Sequence, residues 1–365
     1  MNIIENPFVA GQPVFGQNFI DRYDVVKKIE YFLISKKKHS FIIFGQRRIG
    51  KTSLLRHIDF IYRNNSNFIT SYINLQNFID QDAILLWQTI KKQIIDDIGI
   101  KNNFQNTKLI DFLIEVSQII NKTIIILFDE FDAMYNYENA KRDATKAQYK
   151  LFYSLLKHIS QKELPIKIIF AISPGFKNAE TQYYSKLIGL GTKFNLNFFQ
   201  PIRTEELLKL AEPKLFFTQK AVKYIYYLTA GHPFYTQCIA ASCFKYAILN
   251  NLQTIDIEQV KKNTLISLKT YSSNFLWIWE SLHKWQKILI FIITNLKFQK
   301  QNTFFYNIVK EYSIFKVTIS ENELSELIEI MLKYKYIKQF KGQYYIKSKL
   351  LLFWVKQNIE KNKIW

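Results

Sequence analysis

Cysteine is almost missing from these 365 residues: Cys238 and Cys243 are the only two. Five positions apart in one helical stretch, they give neither a disulfide framework nor a zinc spacing, and read as small core residues in a reducing compartment. No apolar run reaches the ~18 residues a membrane-spanning helix needs, and the N-terminus lacks a charged segment followed by a hydrophobic stretch and a small-residue cleavage site. The expectation is a protein without a membrane span, cytoplasmic, or in an organelle matrix or stroma if organelle-encoded. A repeat array of any period is absent too, which excludes a solenoid or propeller. Acids are scarce beside bases, 30 against 50, for a formal charge of +20. Such an excess points to nucleic acid or an anionic surface. Ile, Lys, Asn, Phe and Tyr are all abundant, however, so A/T-rich codon usage accounts for part of the lysine.

What is present is organised around Gly45-Gln46-Arg47-Arg48-Ile49-Gly50-Lys51-Thr52. It lies between the apolar run Ser40–Phe44 and the helix-compatible run Ser53–Phe60, the strand-before, helix-after context of a P-loop. Its glycines let successive N–H groups and a helix N-terminus point at a polyphosphate. Lys51 is expected against the β- and γ-phosphates, and the Thr52 hydroxyl in a Mg²⁺ shell, so the cofactors implied are ATP and Mg²⁺.

Further along, Thr123–Asp129 is an unbroken apolar strand ending in Asp129-Glu130. Continuous apolar character means burial on both faces, as in a parallel sheet covered by helices. Its C-terminal end lies on the crevice edge the P-loop shares. Asp129, 78 residues after Lys51, is expected to hold Mg²⁺ through water. Glu130 is expected to orient and deprotonate the attacking water, with Asp132 the next candidate. A second buried strand, 166–171, leads to Ser173, which either senses the γ-phosphate or belongs to a plain turn at Ser173-Pro174-Gly175.

Strand and helix alternate to about residue 200, a doubly wound α/β sheet of the P-loop NTPase class. Helices are expected near 21–33, 83–98, 108–120 and 144–160, and a last strand at 193–197. From Thr204 the pattern is wholly helical, with Gly231 ending one helix and Pro233 opening the next. Helices near 277–296, 304–312 and 321–334, then the alternating runs 336–340 and 343–346 about Lys341-Gly342, make a winged-helix pattern. Residues 333–349 hold Lys333, Lys335, Lys338, Lys341, Lys347 and Lys349 with no acid. With the interleaved tyrosines they suit a phosphate backbone; they equally suit a solvated edge hairpin guarded by lysine. The division is an ATPase domain at 1–203, a helical lid at 204–270 and a winged helix at 271–365.

With these motifs in view, the sequence resembles the STAND class of P-loop ATPases, specifically the prokaryotic MNS-type group related to the archaeal ATPase families. Asn6-Pro7-Phe8-Val9-Ala10-Gly11-Gln12-Pro13-Val14 is similar to the group's opening motif, and Phe19-Ile20-Asp21-Arg22 to its F-x-G-R, with Asp21 in place of the glycine. Residues Gly45 to Leu55, the pair Arg47-Arg48 included, resemble its P-loop. Leu127-Phe128-Asp129-Glu130-Phe131-Asp132 resembles its Walker B segment, and Gly231-His232-Pro233-Phe234-Tyr235-Thr236-Gln237 its lid motif. The resemblance implies a nucleotide held by Gly45, Gln46, Arg47, Arg48, Ile49, Gly50, Lys51, Thr52 and Ser53, with Pro233 against the adenine, Thr52 and Asp129 at the metal, and Lys51 and Glu130 catalytic. It implies a slow ATPase acting as a nucleotide-dependent switch, with an unnamed protein partner and room for oligomerisation. The other function in view is ATP-regulated DNA binding through a basic winged helix.

Overall fold

A computed structural model describes residues 5–78, 83–100, 109–134, 142–173, 186, 189–313 and 319–360. Pro174 and Gly175, expected to close a turn, lie outside the described residues. The chain divides into two compact units: Pro13–Gln46 with Gly50–Leu196, and Met1–Gln12 with Arg47–Ile49 and Asn197–Trp365.

The first unit runs α1 (Tyr23–Ile34), β1 (Ser40–Phe44), α2 (Lys51–Tyr62), β2 (Phe68–Asn74), α3 (Ala83–Ile98), α4 (Leu109–Ile120), β3 (Thr123–Asp129), α5 (Arg142–Gln161), β4 (Ile166–Ile172) and β5 (Thr192–Asn195). The strands form one sheet in the order β2-β3-β4-β1-β5, every neighbouring pair parallel. The central strands β1 and β4 are buried at every position, which is why they read as unbroken apolar runs; the edge strand β5 alternates instead. Each fully buried Ile, Leu or Phe contributes about 1.5–3 kcal/mol. Phe131, just after β3, packs edge-on against Phe152 of α5 and Phe170 of β4, with ring centroids 5.2 and 4.7 Å away. That anchor fixes the exit of β3, where Glu130 takes a left-handed backbone (φ 50°).

β4 lies between β1 and β3, so the P-loop and the acidic strand end are separated by one strand. The residue that follows β4 therefore stands between them. It is Ser173.

The second unit is mostly helical. It contains α6 (Pro201–Leu208), β6 (Phe216–Phe217), α7 (Gln219–Thr229), α8 (Pro233–Leu249), β7 (Thr254–Ile255), α9 (Ile257–Thr270), α10 (Ser272–Glu280), α11 (Lys284–Phe298), α12 (Phe305–Ser313), α13 (Glu321–Lys333), the antiparallel pair β8 (Ile337–Phe340) and β9 (Gln343–Ile346), and α14 (Lys349–Asn358). Helix α8 is buried nearly all round. Cys238 and Cys243 lie on it as free, buried thiols, and burial pushes Cys243 up to about 12, so both are packing residues.

Two expectations need correction here. The apolar run 277–296 is not one helix: α10 ends at Glu280 and α11 begins at Lys284. His283 and Gln286 form a reciprocal capping box at the break, and two satisfied helix ends outweigh apolar continuity. The chain also adds α14 after the hairpin. Its start signal is Ser348, whose hydroxyl accepts from the Leu351 N–H. No helix among the described residues is long and apolar enough to cross a membrane.

Candidate nucleotide site

The site grows from the β1–α2 connection. Gly50, in a left-handed conformation (φ 100°), stands as N-cap of α2, and no acid occupies that helix's first turn. A helix start that carries no acid of its own in the first turn favours an anion. Lys51 opens the helix and is 4% exposed. Its ammonium donates to Gly45 O and Gln46 O, both at 3.0 Å, and to Ser173 Oγ at 2.9 Å. Ser173 is fixed in turn, since its N–H donates to the buried Asp132 carboxylate at 2.7 Å. Asp132 is thereby tied to the end of β4.

Across the sheet, Asp129 is 1% exposed. Tyr72 Oη donates to its Oδ2 at 2.6 Å, and the Thr52 side chain also favours the charged form of the same carboxyl. Burial pushes the Asp129 carboxyl above its ordinary range and the Glu130 charge adds to this, while Tyr72, Thr52 and Lys51 oppose it. Tyr72 is pushed well above the usual phenol value, first by burial and then by the Asp129 charge and hydrogen bond. The Arg56 guanidinium lies 3.5 Å from the centre of the Tyr72 ring.

The remaining expected residues separate by role. The Gly45 N–H donates to Ile172 O at 3.2 Å, joining the loop to β4. Gln46 and Ile49 are buried. Ser53 Oγ accepts from the Val14 N–H at 3.1 Å, and His57, one turn later, stacks on Phe19 with centroids 4.1 Å apart. The lead-in segment is thus pinned along α2. Asp21 holds a left-handed backbone (φ 67°), a conformation that favours glycine.

In the helical unit, Arg47 and Arg48 lie 4.7 and 4.8 Å from the centre of the Trp277 ring. Arg48 also donates to Gly11 O and to Asn274 Oδ1. Pro233 is the first residue of α8. Gly231 has φ 81°, and a Cβ there would stand 2.2 Å from Phe199 O. Fully buried His232 stacks on Tyr235 at 4.1 Å, so packing within this unit accounts for both residues.

Sequence reasoning missed Tyr72 and Arg56. Neither belongs to a motif, and only the pairing of β2 with β3 carries Tyr72 to the acidic strand end.

Buried Lys51, the Thr52–Asp129 pair and a first turn of α2 without acids of its own suit a magnesium–nucleotide polyphosphate. A family model described as an ATPase domain predominantly from Archaea matches residues 19–237. The chain belongs to this ATPase family. The ATPase is similar in fold to the Walker-type ATPase of Pyrococcus abyssi, with TM-score 0.64 and 16% identity over 96% of this chain and 99% of that one. It is also similar to the ORC2 protein of Aeropyrum pernix, solved as ADPNP–ADP complexes, with TM-score 0.60 and 13% identity over 94% and 96%. The Aeropyrum pernix ORC1 protein, solved in complex with DNA, gives TM-score 0.50 and 13% identity over 93% of each chain. Among curated proteins none matches the sequence.

Proposed function

We propose that this nucleotide-dependent ATPase is a slow molecular switch of the STAND type, built as an ATPase domain at 1–203, a helical lid at 204–270 and a winged helix at 271–365. The observation that carries the reading is the buried Lys51 ammonium, held by the loop carbonyls of Gly45 and Gln46 and by the Ser173 hydroxyl at the end of the neighbouring strand. When bound, Mg²⁺·ATP supplies the phosphoryl group and the metal charge. Lys51 would hold phosphate oxygens, and Thr52 and Asp129 would hold the metal. Glu130 takes the proton of the attacking water. Ser173, bonded to Lys51, registers whether a γ-phosphate is present. Among the described residues no arginine finger is evident, and a finger is worth about 10³–10⁵ in rate, so slow turnover is expected. Arg47 and Arg48, residues of the P-loop motif, stack on Trp277, which makes Trp277 the reporter of a change at that motif.

The test is tryptophan fluorescence under ATP, ADP and no nucleotide. A nucleotide-dependent signal that disappears in Trp277→Phe supports the switch; a signal identical in all three states contradicts it.

A second reading is nucleic-acid binding by the C-terminal block, in step with ATP. It is favoured by the lysines of residues 333–349, none of which is accompanied there by an acid.

A further inference from the structure

In a winged helix the third helix is the element expected in the major groove. Here that helix, α13, carries Glu321, Glu323, Glu326 and Glu329 against one lysine, Lys333. Glu321, Glu326 and Glu329 are exposed. Such a surface repels phosphate. The positive charge of the same block lies elsewhere.

On the hairpin, Lys338 pairs with Tyr345 and Phe340 with Gln343, while Ile337 pairs with Ile346. Both isoleucines are buried, so the period of two sets Lys338, Phe340, Gln343 and Tyr345 on the opposite face. Lys297, at the end of α11, brings its ammonium 5.6 Å from the centre of the Tyr345 ring. Lys347 continues the alternation beyond Ile346. Burial holds Lys347 below its ordinary value, and the charges of Lys335 and Lys338 lower it further. Lys349 is lowered in the same way, by burial and then by Lys297 and Lys338. Among the described residues none of these five lysines forms an ion pair with an acid.

Mutually repelling ammonium groups without acids to neutralise them are stabilised by a polyanion. Rings set among them narrow its class: Phe340 is 61% exposed, and an exposed ring beside lysines offers a stacking surface for a base next to a backbone phosphate. We propose that the ATPase binds nucleic acid through the hairpin face formed by Lys297, Lys338, Tyr345 and Lys347, with Phe340 at its tip, and not through α13. The inference rests on the nucleic-acid reading above and names the surface that serves it.

The test is fluorescence anisotropy of the full chain with labelled single-stranded and duplex DNA, titrated between about 50 and 200 mM salt. The combined change Lys297→Gln, Lys338→Gln and Lys347→Gln is expected to weaken binding at least tenfold at the lower salt and to flatten the log–log salt slope by about 2–3. Lys297→Gln with Lys338→Gln alone, both exposed and neutral to folding, should flatten it by about 2. Glu326→Gln with Glu329→Gln is expected to leave affinity within about threefold, since charges not facing the backbone act only through screened distance. ATP hydrolysis should match the parent in all three, and the melting temperature should match it in the double-lysine and α13 variants. Preference for the single strand assigns stacking to Phe340 and Tyr345; preference for the duplex assigns the affinity to the lysines. If the parent binds DNA but the lysine variants keep its slope, or if the α13 variant tightens binding more than tenfold, the surface is wrong and the nucleic-acid reading stands. If the parent binds neither DNA at low salt, or binds only vesicles rich in anionic lipid, both fall.

Discussion

The phenol of Tyr72 donates to Asp129 across 2.6 Å, from the strand beside the one that ends in the acid. Asp129 is buried, a circumstance that raises its pKa and hinders metal binding, since only the carboxylate holds Mg²⁺. Tyr72 acts in the opposite direction, because a hydrogen bond to the charged form favours that form.

Removing that donor gives the first prediction. Tyr72→Phe should raise the Asp129 pKa further and weaken Mg²⁺·ATP binding about tenfold, in line with the ~1.5 kcal/mol net worth of a hydrogen bond to a charged group. Because the carboxylate is needed, activity is lost as pH falls through the Asp129 pKa, and the acid limb of the pH–rate profile should move to higher pH in the variant. Superimposable profiles would show that Tyr72 is a packing residue.

Gly231 carries a prediction about folding. A side chain at φ 81° with its Cβ 2.2 Å from Phe199 O requires the backbone to move. Gly231→Ala should therefore cost about 1–3 kcal/mol, read as a fall in the denaturant midpoint. An unchanged midpoint would leave the glycine without a packing explanation, and nucleotide contact would become the better one.

Lys167 of β4 is buried, with its ammonium bonded to Ser35 O and Lys38 O, and burial lowers it to about 8. The unfolded chain has its lysine near ~10.4 and so binds more protons between these values. The sign follows: stability from this residue rises as pH rises through the window from about 8 to ~10.4. The parent should gain stability relative to Lys167→Met across that interval. Parallel stability curves for the two proteins would contradict the buried, neutralising environment.

Much of the α/β unit was legible because its signals are local. An apolar run of four residues before Gly45, and one of five before Asp129, can only be strands buried on both faces once helices cover them, and the P-loop spacing defines its own strand and helix. Ser173 was legible only as one of two alternatives, since the order β3-β4-β1 that brings its hydroxyl to Lys51 is a property of strand pairing across distant segments. Tyr72 and Arg56 gave no signal, for a tyrosine inside a strand reads as a β-former wherever it occurs. The break at Ser281–His283 was readable in principle, as His283 and Gln286 have the spacing of a capping box, but histidine is an uncommon N-cap and apolar periodicity runs through it. The acidity of α13 is plain in the sequence; its meaning depends on the opposite charge of the hairpin face, which only the β8–β9 register assembles.

The central claim is that Lys51 binds the phosphates while Glu130 removes the proton from water, and single-turnover hydrolysis with bound nucleotide counted separately tests it most directly. The prediction is that Lys51→Ala loses both retention and hydrolysis, because a phosphate cradle without its cation loses charge stabilisation, whereas Glu130→Gln retains ATP at the parent level and fails to hydrolyse it. Hydrolysis at the parent rate by Glu130→Gln, or equal ATP affinity in Lys51→Ala and the parent, would contradict it.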